Sequence, residues 1–252
     1  MTPGARAYWL LICLILLTAC GGGQAKREST ALGLDQESSP GDLYVNMAAA
    51  YFERGQLNAA LEHGLRALKE DKRNADAHYV LAIIYRRLGK SSEADAHFAD
   101  ALRLEPRNPE FLNAHGTMLC VERDYEEALA LFRQAAANPL YQTPEVALMN
   151  ASDCSRRAGS LRDAERFLRE ALSRNASYPP ALLAMAQLAY ERGEHQSARD
   201  YMTRYGRVGR PTPAALLLAY RIEAKLGNRE SATTLADALR RRYPDAPEVM
   251  EL

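Results

Sequence analysis

From Gly41 onward the chain repeats itself every 34 residues, and that period constrains its fold more than any other feature. A unit of this length cannot bury its apolar faces alone. It must stack against neighbours of the same kind, so the chain is committed to an elongated array. The copies start at Gly41, Ala75, Pro109, Glu145, Pro179 and Pro213, giving ranges 41–74, 75–108, 109–142, 145–178, 179–212 and 213–246. Only the third-to-fourth step departs, by two extra residues near Thr143 and Pro144.

The register is written in columns. Position 20 is Ala in every copy: Ala60, Ala94, Ala128, Ala164, Ala198 and Ala232. Position 15 is Gly55, Gly89, Gly159, Gly193 and Gly227, with Arg123 in the third copy. Position 8 is small in five copies: Ala48, Ala82, Gly116, Ser152 and Ala186. Position 27 is Ala67, Ala101, Ala135 and Ala171 in four, and Pro106 and Pro244 hold position 32. Small residues at 8 and 20 let two helices approach closely, where a larger side chain would overpack the contact. Gly at 15 ends the first helix, because the left-handed conformation costs it little. Pro at the close stops the second helix. Larger residues such as Tyr51, Tyr85, Phe98, Phe132, Leu168 and Met202 fill the remaining space.

These columns resemble the tetratricopeptide repeat. The resemblance implies an all-α fold, a right-handed α-solenoid of six repeats in which about twelve helices pair as antiparallel hairpins. Little sequence follows the sixth copy. The expectation is that the last helix, near residues 230–243, caps the array itself, with Arg240, Arg241 and Arg242 solvated.

The N-terminus reads differently. Arg6 precedes an apolar run over residues 8–17, the length of a secretory signal core and too short for a membrane-spanning helix of roughly 20 residues. The run ends in Leu17-Thr18-Ala19-Cys20, which resembles the lipobox of bacterial lipoproteins. That resemblance implies a signal peptide over residues 1–19, cleavage before Cys20 and lipid attachment at Cys20. Gly21 after the Cys, by the same resemblance, implies the outer membrane, with the lipid in its inner leaflet and the folded part facing the periplasm. Residues 20–40 are polar and without period, as expected of a flexible tether.

Function classes narrow by composition and by motif. The formal net charge is zero, with 25% charged residues and 47% hydrophobic. Nucleic-acid binding usually shows a basic surplus, which is missing here. None of His63, His78, His97, His115 and His195 forms a pair with metal-ligand spacing such as H-E-x-x-H, so no metal and no cofactor are expected. His115 falls at a packing position and reads as a core residue. Gly89-Lys90-Ser91 looks like the tail of a phosphate loop, but Ile84 stands where the first Gly is needed. No Ser lies in a G-x-S-x-G elbow. The expectation is a binding protein, not an enzyme, with no small-molecule substrate.

Two cysteines fall within the repeats. Cys120 is at position 12 of the third copy and Cys154 at position 10 of the fourth, both on first helices. In an oxidising compartment a cross-repeat disulfide is geometrically open to them. Two small buried thiols are the alternative.

In the tetratricopeptide family the first helices line the concave surface through positions 2, 5, 9, 12 and 13. Here that implies Val45, Ala49, Phe52, Tyr79, Ile83, Arg86 and Arg87 as partner-binding residues. Met149, Arg156, Arg157, Leu183, Tyr190, Arg221 and Lys225 would continue the groove. Apolar and aromatic groups rimmed by Arg are what binding hot spots are made of.

A further resemblance is more specific. Asn113-Ala114-His115-Gly116-Thr117-Met118-Leu119-Cys120, Asp124-Tyr125-Glu126-Glu127-Ala128, Asn138-Pro139-Leu140-Tyr141 and Asn150-Ala151-Ser152-Asp153-Cys154 resemble the type IV pilus biogenesis and stability lipoproteins, the PilF/PilW pilotin family. The resemblance implies a Cys120–Cys154 disulfide. It also implies an adaptor that binds the type IV pilus secretin and promotes its outer-membrane localisation, multimerisation or stability, hence pilus biogenesis and twitching motility. A general envelope scaffold, recruiting cell-wall enzymes or outer-membrane assembly factors, needs the same solenoid and stays open.

Overall fold

The computed structural model describes residues 39–252. The expected signal peptide, Cys20 and nearly all of the tether lie outside the described residues. Within them, twelve α-helices run in order: α1 Pro40–Glu53, α2 Leu57–Glu70, α3 Ala75–Arg87, α4 Ser91–Leu104, α5 Pro109–Val121, α6 Tyr125–Ala137, α7 Pro144–Arg157, α8 Leu161–Arg174, α9 Pro179–Glu191, α10 His195–Val208, α11 Pro213–Lys225 and α12 Arg229–Arg242. A short 3-10 turn, Pro247–Glu251, follows. No described helix is long and apolar enough to cross a membrane.

Local chemistry sets the helix boundaries. Before α1, the Ser39 hydroxyl accepts from the Asp42 backbone N–H at 3.1 Å, and the Asp42 carboxylate accepts from the Ser39 N–H at 3.2 Å, a capping box. Asn74 and Asn108 cap α3 and α5 through their side-chain oxygens, and Thr212 caps α11. Each odd-numbered helix ends in one turn design. The residue at position 15 is left-handed, with φ from 72° to 84°, in Gly55, Gly89, Gly159, Gly193 and Gly227. The next residue's N–H then reaches back five positions, as from Gln56 to Tyr51 O and from Lys90 to Tyr85 O, both at 2.9 Å. This is a Schellman closure. Arg123 takes the same conformation at φ 72° without being glycine.

Helices pair as α1 with α2, α3 with α4, and so on to α11 with α12. Ala60, Ala94, Ala128, Ala164 and Ala198 are fully buried where the two helices of a hairpin meet. Small and large residues alternate across these contacts. A Cβ on Gly116 would sit 3.0 Å from the Phe132 ring and 3.1 Å from the Ala128 carbonyl oxygen. In the first copy the relation inverts: Gly64 leaves room that the Leu81 side chain fills. Successive hairpins then stack, and α1 touches α3, α3 touches α5, α5 touches α7 and α9 touches α11 directly. The odd-numbered helices thus share one side of the array. The architecture is an all-α solenoid.

The irregular joint between α6 and α7 is tied on both sides. The Asn138 side-chain amide donates to Arg107 O at 2.8 Å, and its carbonyl oxygen accepts from the Leu140 N–H at 2.9 Å. Tyr141 turns inward and is buried, leaving Leu140 outside at 80% exposure.

The C-terminal end corrects an expectation. Helix α12 does not cap the array alone. The 3-10 turn folds back so that Val249 and Leu252 pack on Leu216, Leu217 and Leu239. The turn is further held by an Arg221–Glu251 ion pair, and the Tyr243 hydroxyl donates to Pro211 O. The turn thus adds to the cover that Leu235 and Tyr243 give Leu216, Leu217 and Leu239. Arg240, Arg241 and Arg242 are exposed.

Candidate partner-binding groove

The last turns of α1 and α3 lie next to each other at one end of the array. At the N-terminal end, Phe52, Glu53, Gly55, Leu57, Ile83, Arg86 and Arg87 surround an open hollow of about 650 Å³. Phe52 is half-buried, and Arg86 and Arg87 are exposed. The Schellman turn after α1 places Gly55 in this wall, with no side chain to close the entrance.

Four of the seven sequence-derived partner residues occupy a different place. Val45, Ala49, Tyr79 and Ile83 are 3%, 2%, 6% and 5% exposed. Positions 5 and 9 sit where α1 and α3 meet side by side, so these side chains pack between repeats. Ile83 shows only an edge to the hollow. Tyr79 stacks on Phe111 with ring centroids 4.7 Å apart, and burial, opposed chiefly by Arg86, pushes its pKa up to about 12. Val45, Ala49 and Tyr79 support the groove from beneath, and Ile83 contributes only that edge to its surface. Of the seven, Phe52, Arg86 and Arg87 are the ones with substantial surface in the hollow. Burial against the wall pulls the Arg86 pKa below the ordinary arginine value, partly offset by the neighbouring Tyr79 hydroxyl.

Further along, Val121 at position 13 of the third copy is 64% exposed. Asp153, Arg156, Arg157 and Glu191 form a charged stretch, with Arg156 and Glu191 3.7 Å apart across two repeats. Burial raises the Asp153 carboxyl pKa, and Arg156 and Arg157 oppose the rise. Met149, Leu183 and Tyr190 are half-buried, and Lys225 is exposed. Arg221, also assigned to the groove by its column, is paired with Glu251 of the capping turn. A second, more apolar hollow of about 320 Å³ lies between α10 and α11, with Met202, Tyr205, Leu216 and Ile222 among its walls.

A disulfide joins Cys120 and Cys154, with α-carbons 5.7 Å apart, and so ties α5 to α7. Cys154 is fully buried and Cys120 is 7% exposed. His115 is a core residue: it lies against the Phe98 ring at 5.0 Å, and its Nε2 meets Asp95 Oδ1 at 2.8 Å.

One cluster with metal-ligand atoms escaped the sequence reading. His78 on α3 faces His97 and Asp100 on α4, with one ligand atom from each within 4.8 Å of the others. A search along single helices cannot find it, because the ligands come from two. Burial and the facing His78 hold the His97 pKa below its usual value, while Asp100 opposes the shift.

Comparison with known proteins follows the same lines. A family profile described as "TPR repeat" matches residues 48–89, and one described as "Tetratricopeptide repeat" matches residues 79–142 and 155–208. Together the matches take in more than half of the chain. The chain is similar to the type IV pilus assembly protein PilF of Pseudomonas aeruginosa, 28% identical over 247 residues, which is 98% of this chain and 97% of that protein. Among solved structures, PilW, described as a widely conserved type IV pilus biogenesis factor, superimposes with a TM-score of 0.73 at 29% identity, covering 85% of this chain and 99% of that one. The Pseudomonas aeruginosa PilF structure gives a TM-score of 0.74 at 28% identity, covering 84% of this chain and 95% of that one.

Proposed function

Because the chain belongs to the tetratricopeptide-repeat family, we propose that it is a protein-binding adaptor for type IV pilus biogenesis. The observation that carries this reading is the end-to-end similarity to PilF, 98% of one chain against 97% of the other. A match of that extent takes in the irregular joint and the termini as well as the repeats. Generic repeat proteins would share the repeats alone.

In the finer form of the proposal, the protein is an outer-membrane lipoprotein, a pilotin. Cys20 carries the lipid and provides the address in the inner leaflet of that membrane. The residues after Cys20 provide reach, and the groove at Phe52, Arg86 and Arg87 holds a segment of the secretin subunit. The lipobox residues Leu17 to Cys20 support the anchor. The Arg-rimmed hollow supports an extended or helical partner segment bearing an acidic and an apolar group.

The test uses a deletion strain complemented with wild type, Cys20→Ala, Phe52→Ala or Arg86→Glu. Secretin multimers in the outer membrane are measured together with twitching motility. The expected result is loss of multimers from that membrane in the deletion and in Cys20→Ala. Reduced multimers are expected in the two groove variants at normal protein levels. Normal multimers and motility in the deletion strain would exclude the reading. Normal multimers in the groove variants alone would move the contact surface elsewhere on the array.

A further inference from the structure

We propose that His78, His97 and Asp100 form a binding site for a divalent transition-metal ion, with Zn²⁺ the ion that best suits two imidazoles and one carboxylate. The site is independent of the groove and of the pilus reading.

The geometry is the first argument. His78 Nδ1 lies 3.0 Å from His97 Nδ1 and 3.6 Å from Asp100 Oδ2. Two nitrogens bound to one tetrahedral ion at about 2.0–2.1 Å would be about 3.3 Å apart. These two separations fall on either side of that value and the third pair lies within 4.8 Å, so a shift of the half-exposed His97 and Asp100 closes the site. Three protein ligands leave a tetrahedral ion one position, for water. The Asp100 side chain is 41% exposed, which gives the ion a way in.

The outer shell is the second argument. His78 Nε2 is 3.2 Å from the carbonyl oxygen of Lys72. A carbonyl only accepts, so Nε2 carries the proton and the lone pair of Nδ1 is turned toward His97 and Asp100. Fixing the far ring nitrogen on a carbonyl is how metal-bound histidines are oriented. The His97 ring is held as well, stacked on Tyr85 at 5.4 Å with only 8° between planes.

The repeat supplies the third argument, because it contains its own controls. His78, His97 and Asp100 occupy positions 4, 23 and 26 of the second copy. In the first copy the same columns hold Tyr44, His63 and Arg66. There His63 stacks on Tyr44 at 6.1 Å, and the Arg66 guanidinium lies over the Tyr44 ring at 4.5 Å. The Tyr51–His63 stack, at 5.1 Å and 6°, matches the Tyr85–His97 stack of the second copy. The scaffold is therefore the same, and the second copy changes a ring to His and a cation to Asp. Position 4 in the remaining four copies is Leu112, Leu148, Leu182 and Leu216. An apolar residue satisfies the packing there, so repeat stability alone does not call for this triad.

In the absence of an ion, one proton shared between the two Nδ1 atoms gives a His–His hydrogen bond. The ion would take that place between the two Nδ1 atoms, the Nδ1 proton of His97 leaving to solvent while its Nε2 takes one up so that the ring stays neutral, and would clamp the start of α3 to the second half of α4.

The experiment titrates Zn²⁺ into the untagged full chain, after treatment with chelator, by calorimetry. Visible absorption of the Co²⁺-loaded protein reports coordination geometry. The expected result is one ion per chain, tetrahedral Co²⁺ bands, and a melting temperature raised by Zn²⁺. His97→Ala and Asp100→Asn, checked for unchanged helical circular dichroism, should each weaken binding about tenfold or more. In His97→Ala the Zn²⁺-dependent rise in melting temperature should disappear. No stoichiometric uptake by the wild-type chain would overturn the proposal. So would equal affinity in wild type and both variants, which would place the ion on other surface groups.

Discussion

Cys120 on α5 and Cys154 on α7 are covalently joined across the one joint where the repeat register slips by two residues. The bond closes a loop of 34 residues. In the chain-entropy account, a loop of that size restrains the unfolded chain by about 3–4 kcal/mol. Both sulfurs are buried, so reductant reaches them slowly while the array is folded. The double variant Cys120→Ser, Cys154→Ser is expected to lose a large part of that stabilisation in urea unfolding. The wild type under strong reductant should approach the variant only after it has been unfolded and refolded. Equal unfolding midpoints for oxidised wild type and variant would show that the bond contributes nothing.

Arg123 invites a substitution that improves the protein. It stands at φ 72° in a turn where the other five copies use glycine. The left-handed conformation costs a residue with a Cβ roughly 1–2 kcal/mol. Glycine returns part of that gain through its greater freedom in the unfolded chain. Arg123→Gly is therefore expected to stabilise by about 0.5–1 kcal/mol, read as a higher urea midpoint with an unchanged slope. A lower midpoint would mean that the Arg123 side chain makes a compensating contribution.

Tyr79 predicts a pH dependence. Its pKa is raised to about 12 from an ordinary value of 10, with burial as the first cause. An acid with a raised folded pKa stays protonated in the fold after it has ionised in the unfolded chain. Below pH 10 the two states hold the same proton and the group adds no slope. Between about pH 10 and 12 the unfolded chain binds fewer protons, so stability falls as pH rises. A rise from 10 to about 12 sets the size at about 2–3 kcal/mol. Tyr79→Phe keeps the ring on Phe111 and removes the proton. Its stability should decline less than that of wild type over that window. Parallel decline of the two proteins would assign the alkaline slope to other groups, such as Tyr141 or Tyr178, whose pKa values burial also raises.

The limits of the sequence reading are physical. Column chemistry marked five hairpin turns by a glycine at position 15, and the third only by Ala128 at position 20, because Arg123 holds the left-handed conformation without a residue type that signals it. Depth leaves no such trace. Positions 5 and 9 lie on the inner side of the first helices. Val45, Ala49, Tyr79 and Ile83 are nevertheless hidden, because α1 and α3 lie close enough to bury whatever stands there. The accessible groups lie past the contact, at positions 12 and 13: Arg86, Arg87 and Val121 are exposed and Phe52 is half-buried. The His78–His97–Asp100 cluster was invisible for a related reason. Its spacing along the chain is set by a hairpin, and no single-helix ligand pattern describes it.

The capping turn carries the last prediction. In a repeat array each unit depends on its neighbours, so the loss of an end is felt first at that end. Removing residues 247–252 takes away Val249 and Leu252, both half-buried on Leu216, Leu217 and Leu239. It also removes Glu251, the partner of Arg221. A fully buried aliphatic side chain contributes about 1.5–3 kcal/mol, so two partly buried ones should contribute about 1–3 kcal/mol together. That loss should fall on α11 and α12. Amide hydrogen exchange in the truncated protein is expected to quicken across residues 213–242 and to stay unchanged in α1 to α6. Uniform quickening along the whole array would mean that it unfolds as one cooperative unit. Unchanged exchange in α12 would mean that the helix does cap the array alone.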